Sequence, residues 1–248
     1  MTGRDLPCRY VLYASEKWGK TSFVAQIPDV LFMQTQGETG LETLIASGQL
    51  PPVPHFPGEA SSWQDVLDMV AWLRDEPHNY KALAIDCMDG AAQLCRAEVT
   101  RKHYENNTDK FLAYGRGFDV EPVAWKELLQ SLDMLRSQRG MAVWLIGHAK
   151  AGKKKNPLGE DFTTYTPNMA DKVWEVTKAW ADAILFGNFY TQVTDGKARG
   201  GKLREIYTEH DASYDAGNRL GLPEVIKCGT SASEAWQNFN QALTNRKV

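Results

Sequence analysis

Residues 10–23 read YVLYASEKWGKTSF, an apolar run followed by a glycine turn and then Lys20, Thr21 and Ser22. A lysine beside such a turn offers an ammonium to anionic oxygens, and the next hydroxyl can ligate a hard cation. Where the turn joins a strand to a helix, its backbone N–H groups converge and make a cradle for a phosphate chain. The loop Ala14, Ser15, Glu16, Lys17, Trp18, Gly19, Lys20, Thr21 and Ser22 is therefore expected to bind a nucleotide. Lys20 is the expected contact to the β- and γ-phosphates and Thr21 the expected ligand of Mg²⁺. Ala14 stands at the first loop position, where glycine is usual; its small methyl fits there if φ stays negative.

Other residues can complete this chemistry. Asp86 ends the short apolar run LAID, 66 residues after Lys20, a Walker B pattern that would hold Mg²⁺ through water. Parallel strands bring their C-terminal ends to one edge of a sheet, where ligands bind. Glu38, just beyond the run VLFMQ, is a candidate general base for an attacking water, and Gln36 is the rival for orienting that water. His148 ends the apolar run AVWLIGH, at a place from which a polar side chain can sense a γ-phosphate.

Directly after it, AKAGKKK places Lys150, Lys153, Lys154 and Lys155 within six positions. Lysines there can neutralise nucleic-acid phosphates without reading sequence. Phe162 and Tyr165 are candidates for stacking on bases. Arg199, Arg204 and Arg219 are candidates for reaching the nucleotide of a neighbouring subunit.

These residues need elements to position them. Strands are expected at 9–13, 30–34, 81–86 and 141–150, from short apolar runs bounded by turn residues. Helices are expected at 20–26, 61–76, 88–103, 123–138, from 169 to about 181, and at 231–245. The helix at 61–76 opens on a serine cap and puts Val66, Met69, Val70 and Leu73 on one face. PPVPHFPG at 51–58 is read as an extended loop, 104–120 as a long polar loop, and 151–168 as a long mobile loop. A strand from about Asp182 runs into a hairpin over 188–210 with the turn DGKARGGK. Strands alternating with helices imply an α/β fold with a mostly parallel sheet covered on both faces, and the hairpin adds antiparallel strands at one edge.

The chain has 248 residues, 43% hydrophobic and 24% charged, with a formal net charge of −3. That supports a full core without disulfides and argues against a globally basic nucleic-acid binder. Cys8, Cys87, Cys95 and Cys228 are scattered, with no C-x-x-C pair to hold zinc, and are read as free thiols in a reducing cytoplasm. The N-terminus lacks an apolar signal segment and no run of about 18 apolar residues occurs, so a protein that is neither exported nor membrane-bound is expected.

With these residues assembled, the chain resembles the phage-encoded AAA-type ATP-binding proteins of the RecA-like P-loop superfamily, whose better-known members are single-strand annealing recombinases. The similar stretches are YASEKWGKTS, ETGLETL, LAID, IGHAK, WADAILF and YDAGNRLGLPEVI, in that order over residues 9–227. The resemblance implies a single RecA-like ATPase domain over 1–248, with its core at about 9–187 and the C-terminal hairpin and helix at about 188–248. It implies ATP and Mg²⁺ as ligands, single-stranded DNA as the polymer, and the cytoplasm of the phage's host as the setting. Further copies of the chain and a single-strand-binding protein are the protein partners expected with it. By position, Lys20 and Thr21 take the phosphate and metal roles, Asp86 the Walker B role and His148 the sensor role. Ala14 departs from the family's glycine, and QTQGETG is slightly longer than usual before its glutamate, which leaves Gln36 beside Glu38 for the catalytic role. Three functions remain open at this point: a DNA-linked ATPase, a non-hydrolysing annealing or scaffold protein that uses ATP to set its assembly, and a small-molecule kinase.

Overall fold

The computed structural model describes residues 6–195 and 197–245. Gly196, in the turn expected between the two hairpin strands, lies outside them. In chain order the elements are β1 Arg9–Ala14, α1 Lys20–Val24, β2 Val30–Gln34, α2 Gly40–Ala46, α3 Trp63–Asp75, β3 Ala82–Asp86, α4 Met88–His103, α5 Thr108–Leu112 and α6 Gly117–Met134. There follow β4 Ala142–Lys154, β5 Phe162–Pro167, α7 Asp171–Trp180, β6 Ala183–Thr194, β7 Lys197–Tyr207, β8 Gly217–Asn218, β9 Val225–Gly229 and α8 Ala232–Thr244. The fold class is α/β, and its contacts group into two compact units, each assembled from separate stretches of chain.

The first unit comprises Met1–Arg9, Pro28–Leu145 and Met169–Ala181. Every residue of β2 and β3 is buried, as expected of parallel strands covered on both faces. They pair in parallel from Val30↔Ala82 to Gln34↔Asp86, so Gln34 and Asp86 finish side by side. The start of β4 joins the residue before β3 through Ala142 N–H to Lys81 O at 2.8 Å. Helix α3 begins as its sequence dictates. The Ser62 hydroxyl accepts from Asp65 N–H, and the Asp65 carboxylate accepts from the Ser61 and Ser62 amides. Those bonds, from Ser61 first, hold the Asp65 carboxyl below the usual carboxylate range. Val66, Val70 and Leu73 are buried, while Met69 is half-buried. Helices α6 and α7 are joined by Trp125 Nε1–H to Thr177 Oγ1 at 2.8 Å, and Trp125 stacks on Trp63 at 5.9 Å.

The expected loop at 104–120 is instead α5 and the opening of α6. Asn107 caps α5 by accepting from Lys110 N–H at 3.0 Å, and Phe111 is buried between Tyr104 and Phe118, with Arg96 over both Phe111 and Phe118. One buried aromatic organises a stretch that otherwise reads as polar linker. The Glu121 carboxylate, fully buried, accepts from Arg96 Nε at 3.2 Å; burial pushes its pKa up and Arg96 opposes that shift.

The second unit comprises Tyr10–Ile27, Ile146–Asn168 and Asp182–Val248. Here β1 pairs in parallel with β6 from Tyr10↔Ala183 to Ala14↔Gly187. The expected hairpin is β6–β7, but it is antiparallel out to Thr194↔Lys197, so residues 197–202 of the expected turn DGKARGGK belong to β7; β9, absent from the expectations, pairs antiparallel with β7. Helix α8 lays Trp236 and Phe239 against Phe23 of α1, with ring centroids 5.8 and 5.6 Å away.

The expected mobile loop at 151–168 is largely a second antiparallel ribbon. Strand β4 continues to Lys154 and pairs with β5 from Ala149↔Pro167 to Lys154↔Phe162. Thr163, Thr164 and Thr166 are β-branched and Phe162 and Tyr165 aromatic, which favours pleated backbone. Asn156 and Asp161 close the turn by Asn156 N–H to Asp161 Oδ1 at 3.2 Å.

A Cβ at Gly117 would lie 2.3 Å from the Phe111 ring. Gly117→Ala should therefore destabilise the fold by about 1–3 kcal/mol through overpacking, read as a lower urea midpoint with an unchanged slope.

Candidate phosphate-binding site

The phosphate loop lies in the second unit. Ala14, fully buried, ends β1, and Ser15, Glu16 and Lys17 are exposed beyond it. A Cβ at Gly187, across from Ala14 in β6, would lie 3.0 Å from the Ala14 methyl and 2.8 Å from the Trp18 ring. The neighbouring strand thus supplies the space that alanine, in place of glycine, requires. Lys17 (φ 61°) and Gly19 (φ 98°) both take left-handed backbone, which coils the loop on itself. Trp18 is buried and donates Nε1–H to Asn188 O at 2.9 Å. Lys20, only 7% exposed, donates its Nζ to Ala14 O at 3.2 Å and Ser15 O at 3.3 Å. The lysine ammonium is therefore folded back over its own loop. Thr21 and Ser22 follow in the first turn of α1, both half-buried.

The candidate carboxylates lie in the first unit. Asp86 is 5% exposed, and its carbonyl accepts from Thr35 N–H at 2.9 Å. The peptide joining it to Cys87 is cis. The Thr35 hydroxyl accepts from Cys87 N–H at 3.1 Å and donates to Cys87 O at 3.3 Å. Gly90 lets the first turn of α4 approach, since a Cβ there would lie 2.2 Å from Thr35 Oγ1. Glu38 is held at three points. Its amide donates to Thr35 O at 3.0 Å, its carbonyl accepts from Gln34 Nε2 at 2.7 Å, and its carboxylate accepts from Cys87 Sγ at 3.0 Å. Burial, then the nearby Asp89 charge and Glu38, push the Cys87 thiol pKa far up, so it remains a donor. Gln36 has an exposed side chain, and its amide donates to Ala60 O at 2.9 Å. Of the two rivals, Glu38 is the one bonded to the residue after Asp86. The sequence reading missed Thr35, Cys87 and the buried Asp89. The signal for Thr35 and Cys87 was their place directly after two strand ends, and for Asp89 its place in the first turn of α4.

Residues 6–220 match the family model described as the AAA domain. The chain belongs to this AAA-domain family. No curated protein matches it. Among solved structures it is similar to the crystal structure of the RadB recombinase, with a TM-score of 0.52 and 14% identity, over 92% of this chain and 90% of that one. At that identity the likeness is one of fold, and the fold is RecA-like.

This AAA-family chain carries His148 in β4 of the second unit, half-buried, its carbonyl accepting from Asn168 N–H at 2.8 Å. Lys150 is half-buried, and Lys153, Lys154 and Lys155 are exposed. Pairing puts Lys150 and Lys154 on the face of the ribbon shared by Phe162 and Thr166, and Lys153 on the opposite face with Tyr165. The lysines thus stand on a paired ribbon and its turn. Tyr165 keeps 41% exposure, but one face of its ring stacks on Phe186 at 5.6 Å. Among the arginines, Arg204 is engaged in cis: its Nε donates to Trp18 O at 2.5 Å and its guanidinium to Thr230 O. Arg199 is exposed on β7 across from Gln192, and the Arg219 amide donates to Asp182 O at 2.9 Å. Among the described residues no helix is long and apolar enough to cross a membrane.

Thr35→Val should leave the buried Cys87 N–H without its acceptor and cost about 1–3 kcal/mol of stability, whereas Thr35→Ser should retain most of it. Urea unfolding of the two variants checks this.

Proposed function

We propose that the chain is a Mg²⁺-dependent ATPase that works on single-stranded DNA. The observation that carries the reading is the phosphate loop itself. Between β1 and α1 one turn gathers a buried lysine ammonium, left-handed backbone at Lys17 and Gly19, and the Thr21 hydroxyl. That donor set fits a triphosphate and its hard cation better than any other common ligand. The Lys20 ammonium, now on two loop carbonyls, is within its own side chain's reach of phosphate oxygens placed in the same turn. Ala14 to Ser22 hold the phosphates. Thr21 would offer the metal its hydroxyl, Asp86 is the Walker B carboxylate that would hold it through water, and the ion would neutralise charge on the phosphate oxygens.

Glu38 draws the proton from the attacking water. Its fixing by Gln34, Thr35 and Cys87 supports this role over Gln36, since a base must be held in place before it is useful. His148 senses the γ-phosphate from β4 and passes the nucleotide state along the same strand to Lys150, Lys153, Lys154 and Lys155, which grip DNA phosphates. Family membership and the RecA-like fold support an ATP- and DNA-linked reading. The sequence resemblance carries the narrower one: single-strand annealing in phage recombination or replication, in a homo-oligomer in the host cytoplasm, beside a single-strand-binding protein.

Lys20→Ala should weaken binding of a fluorescent ATP analogue by at least about tenfold while the fold remains intact by circular dichroism. Asp86→Asn should remove Mg²⁺-dependent turnover, and Glu38→Gln should stop hydrolysis while sparing binding. Normal turnover in Glu38→Gln would hand the water to Gln36. Unchanged affinity in Lys20→Ala would sink the nucleotide reading.

For the polymer, replacing Lys153, Lys154 and Lys155 by Ala should lower the salt slope of single-strand binding by roughly 0.7 per lost contact, equally for all sequences. ATP affinity without DNA should stay the same. Labelled oligonucleotide titrations over a salt series check this; an unaltered slope removes these lysines from the interface.

A further inference from the structure

The hairpin β6–β7, which the sequence presents as an addition at a sheet edge, reaches the phosphate loop. Arg204 stands on β7 across from Phe189, with its guanidinium 5.6 Å over that ring. Its Nε donates to Trp18 O at 2.5 Å, and Nη1 donates to Thr230 O and, at 3.5 Å, to Lys202 O. The Trp18 indole is held separately, by Asn188 O and by the space that Gly187 leaves. Both the ring and the carbonyl of Trp18 are therefore fastened to the hairpin.

The carbonyl is the one that matters for phosphate. A trans peptide is planar, and its C=O and the following N–H point in opposite directions. With Trp18 O held by Arg204, the Gly19 N–H is aimed away from Arg204. Gly19 lies at φ 98°, and a Cβ there would be 3.7 Å from Arg204 Nε. Glycine opens backbone conformations that other residues avoid, so the peptide between Trp18 and Gly19 has unusual freedom to turn over. A turned peptide would present a carbonyl where an anion needs an N–H. A charge-assisted hydrogen bond to a carbonyl is a strong restraint against that turnover.

We propose that Arg204 is a positioning residue of the phosphate loop, which fixes the Trp18–Gly19 peptide so that the Gly19 N–H is available to phosphate. The role rests on the ATP reading above. In this role Arg204 acts through the Trp18 carbonyl. The same guanidinium joins that carbonyl to Thr230, whose amide donates to Glu234 Oε2 at 3.0 Å in the first turn of α8. Helix α8 also packs on Phe23 of α1. The C-terminal elements thereby brace the loop from the hairpin side and the helix side.

The test compares Arg204→Gln and Arg204→Lys with the unaltered protein. Arg204→Gln should raise the dissociation constant of a fluorescent ATP analogue about tenfold, the loss expected for one charge-assisted hydrogen bond. Arg204→Lys, which keeps a charged donor for Trp18 O, should recover most of that affinity. A general loss of stability would lower affinity and melting temperature together, so the melting temperature is measured without nucleotide. The direct readout is the Gly19 amide in nucleotide-free protein labelled with ¹⁵N-glycine. In Arg204→Gln its resonance should shift or double and exchange faster, while the amides of glycines outside the loop stay in place. An unmoved Gly19 amide, or equal affinity in Arg204→Gln, overturns the role. If the unaltered protein binds no ATP at all, the nucleotide reading fails, and the Gly19 amide still reports whether Arg204 fixes the peptide.

Discussion

The close approach of Ala14 and Gly187 is the constraint on which the phosphate loop depends. The two residues stand paired in β1 and β6, and a methyl on Gly187 would press on both the Ala14 methyl and the Trp18 ring. Because Gly187 has no side chain, Trp18 can fold inward and bury an indole under its own loop. That burial closes one side of the turn, leaves Ser15, Glu16 and Lys17 outside, and sets Gly19 at the left-handed angle from which α1 starts. A large apolar side chain thus supports a loop whose other members are small or polar. The structural cost of alanine at the first loop position is borne by the neighbouring strand.

The carboxylate cluster follows a different principle, satisfaction of buried polar groups. Asp86, Cys87 and Asp89 are all buried where β3 passes into α4. Thr35 answers the Cys87 amide and carbonyl with one hydroxyl, and the Cys87 thiol in turn answers Glu38. Each of these groups would cost more unpaired than its bond contributes, so the cluster is rigid for reasons of stability. That rigidity is also what the base proposed at Glu38 would require. The thiol suits the task because burial and two nearby carboxylates keep it protonated.

Charge on the β4–β5 ribbon is arranged for solvent. Lys153, Lys154 and Lys155 are exposed, on both faces of the ribbon and at its turn, so they present a diffuse positive edge. Such an edge suits a polymer of repeated negative charge and cannot read its sequence. The ribbon's other end is anchored. Tyr165 donates its amide to Ser213 O at 2.7 Å and stacks on Phe186, and the Tyr13 hydroxyl donates to Tyr165 O at 3.1 Å. A lysine-bearing tip on an aromatic base gives the charged segment a defined origin.

What the sequence determined by itself is local. The strand, glycine turn and helix of residues 9–24, the serine cap of α3, the apolar run ending at Asp86 and the hairpin after β6 all follow from patterns within a few residues. Their physical causes, side-chain periodicity, capping and turn geometry, act at that range. Tertiary structure decided the rest. The stretch 104–120 became helical because Phe111 found a buried place beneath Arg96, and 149–167 became a ribbon because two short polar strands found each other. Glu38 meets Cys87 across 49 residues and Arg204 meets Trp18 across 186, and neither pairing leaves a trace in local composition. A hydrogen bond needs only two groups at the right distance and angle, and which groups arrive there is set by strand pairing and packing. The motif could therefore announce a turn of the phosphate-loop type, while only the fold decided which side chains hold that turn in place.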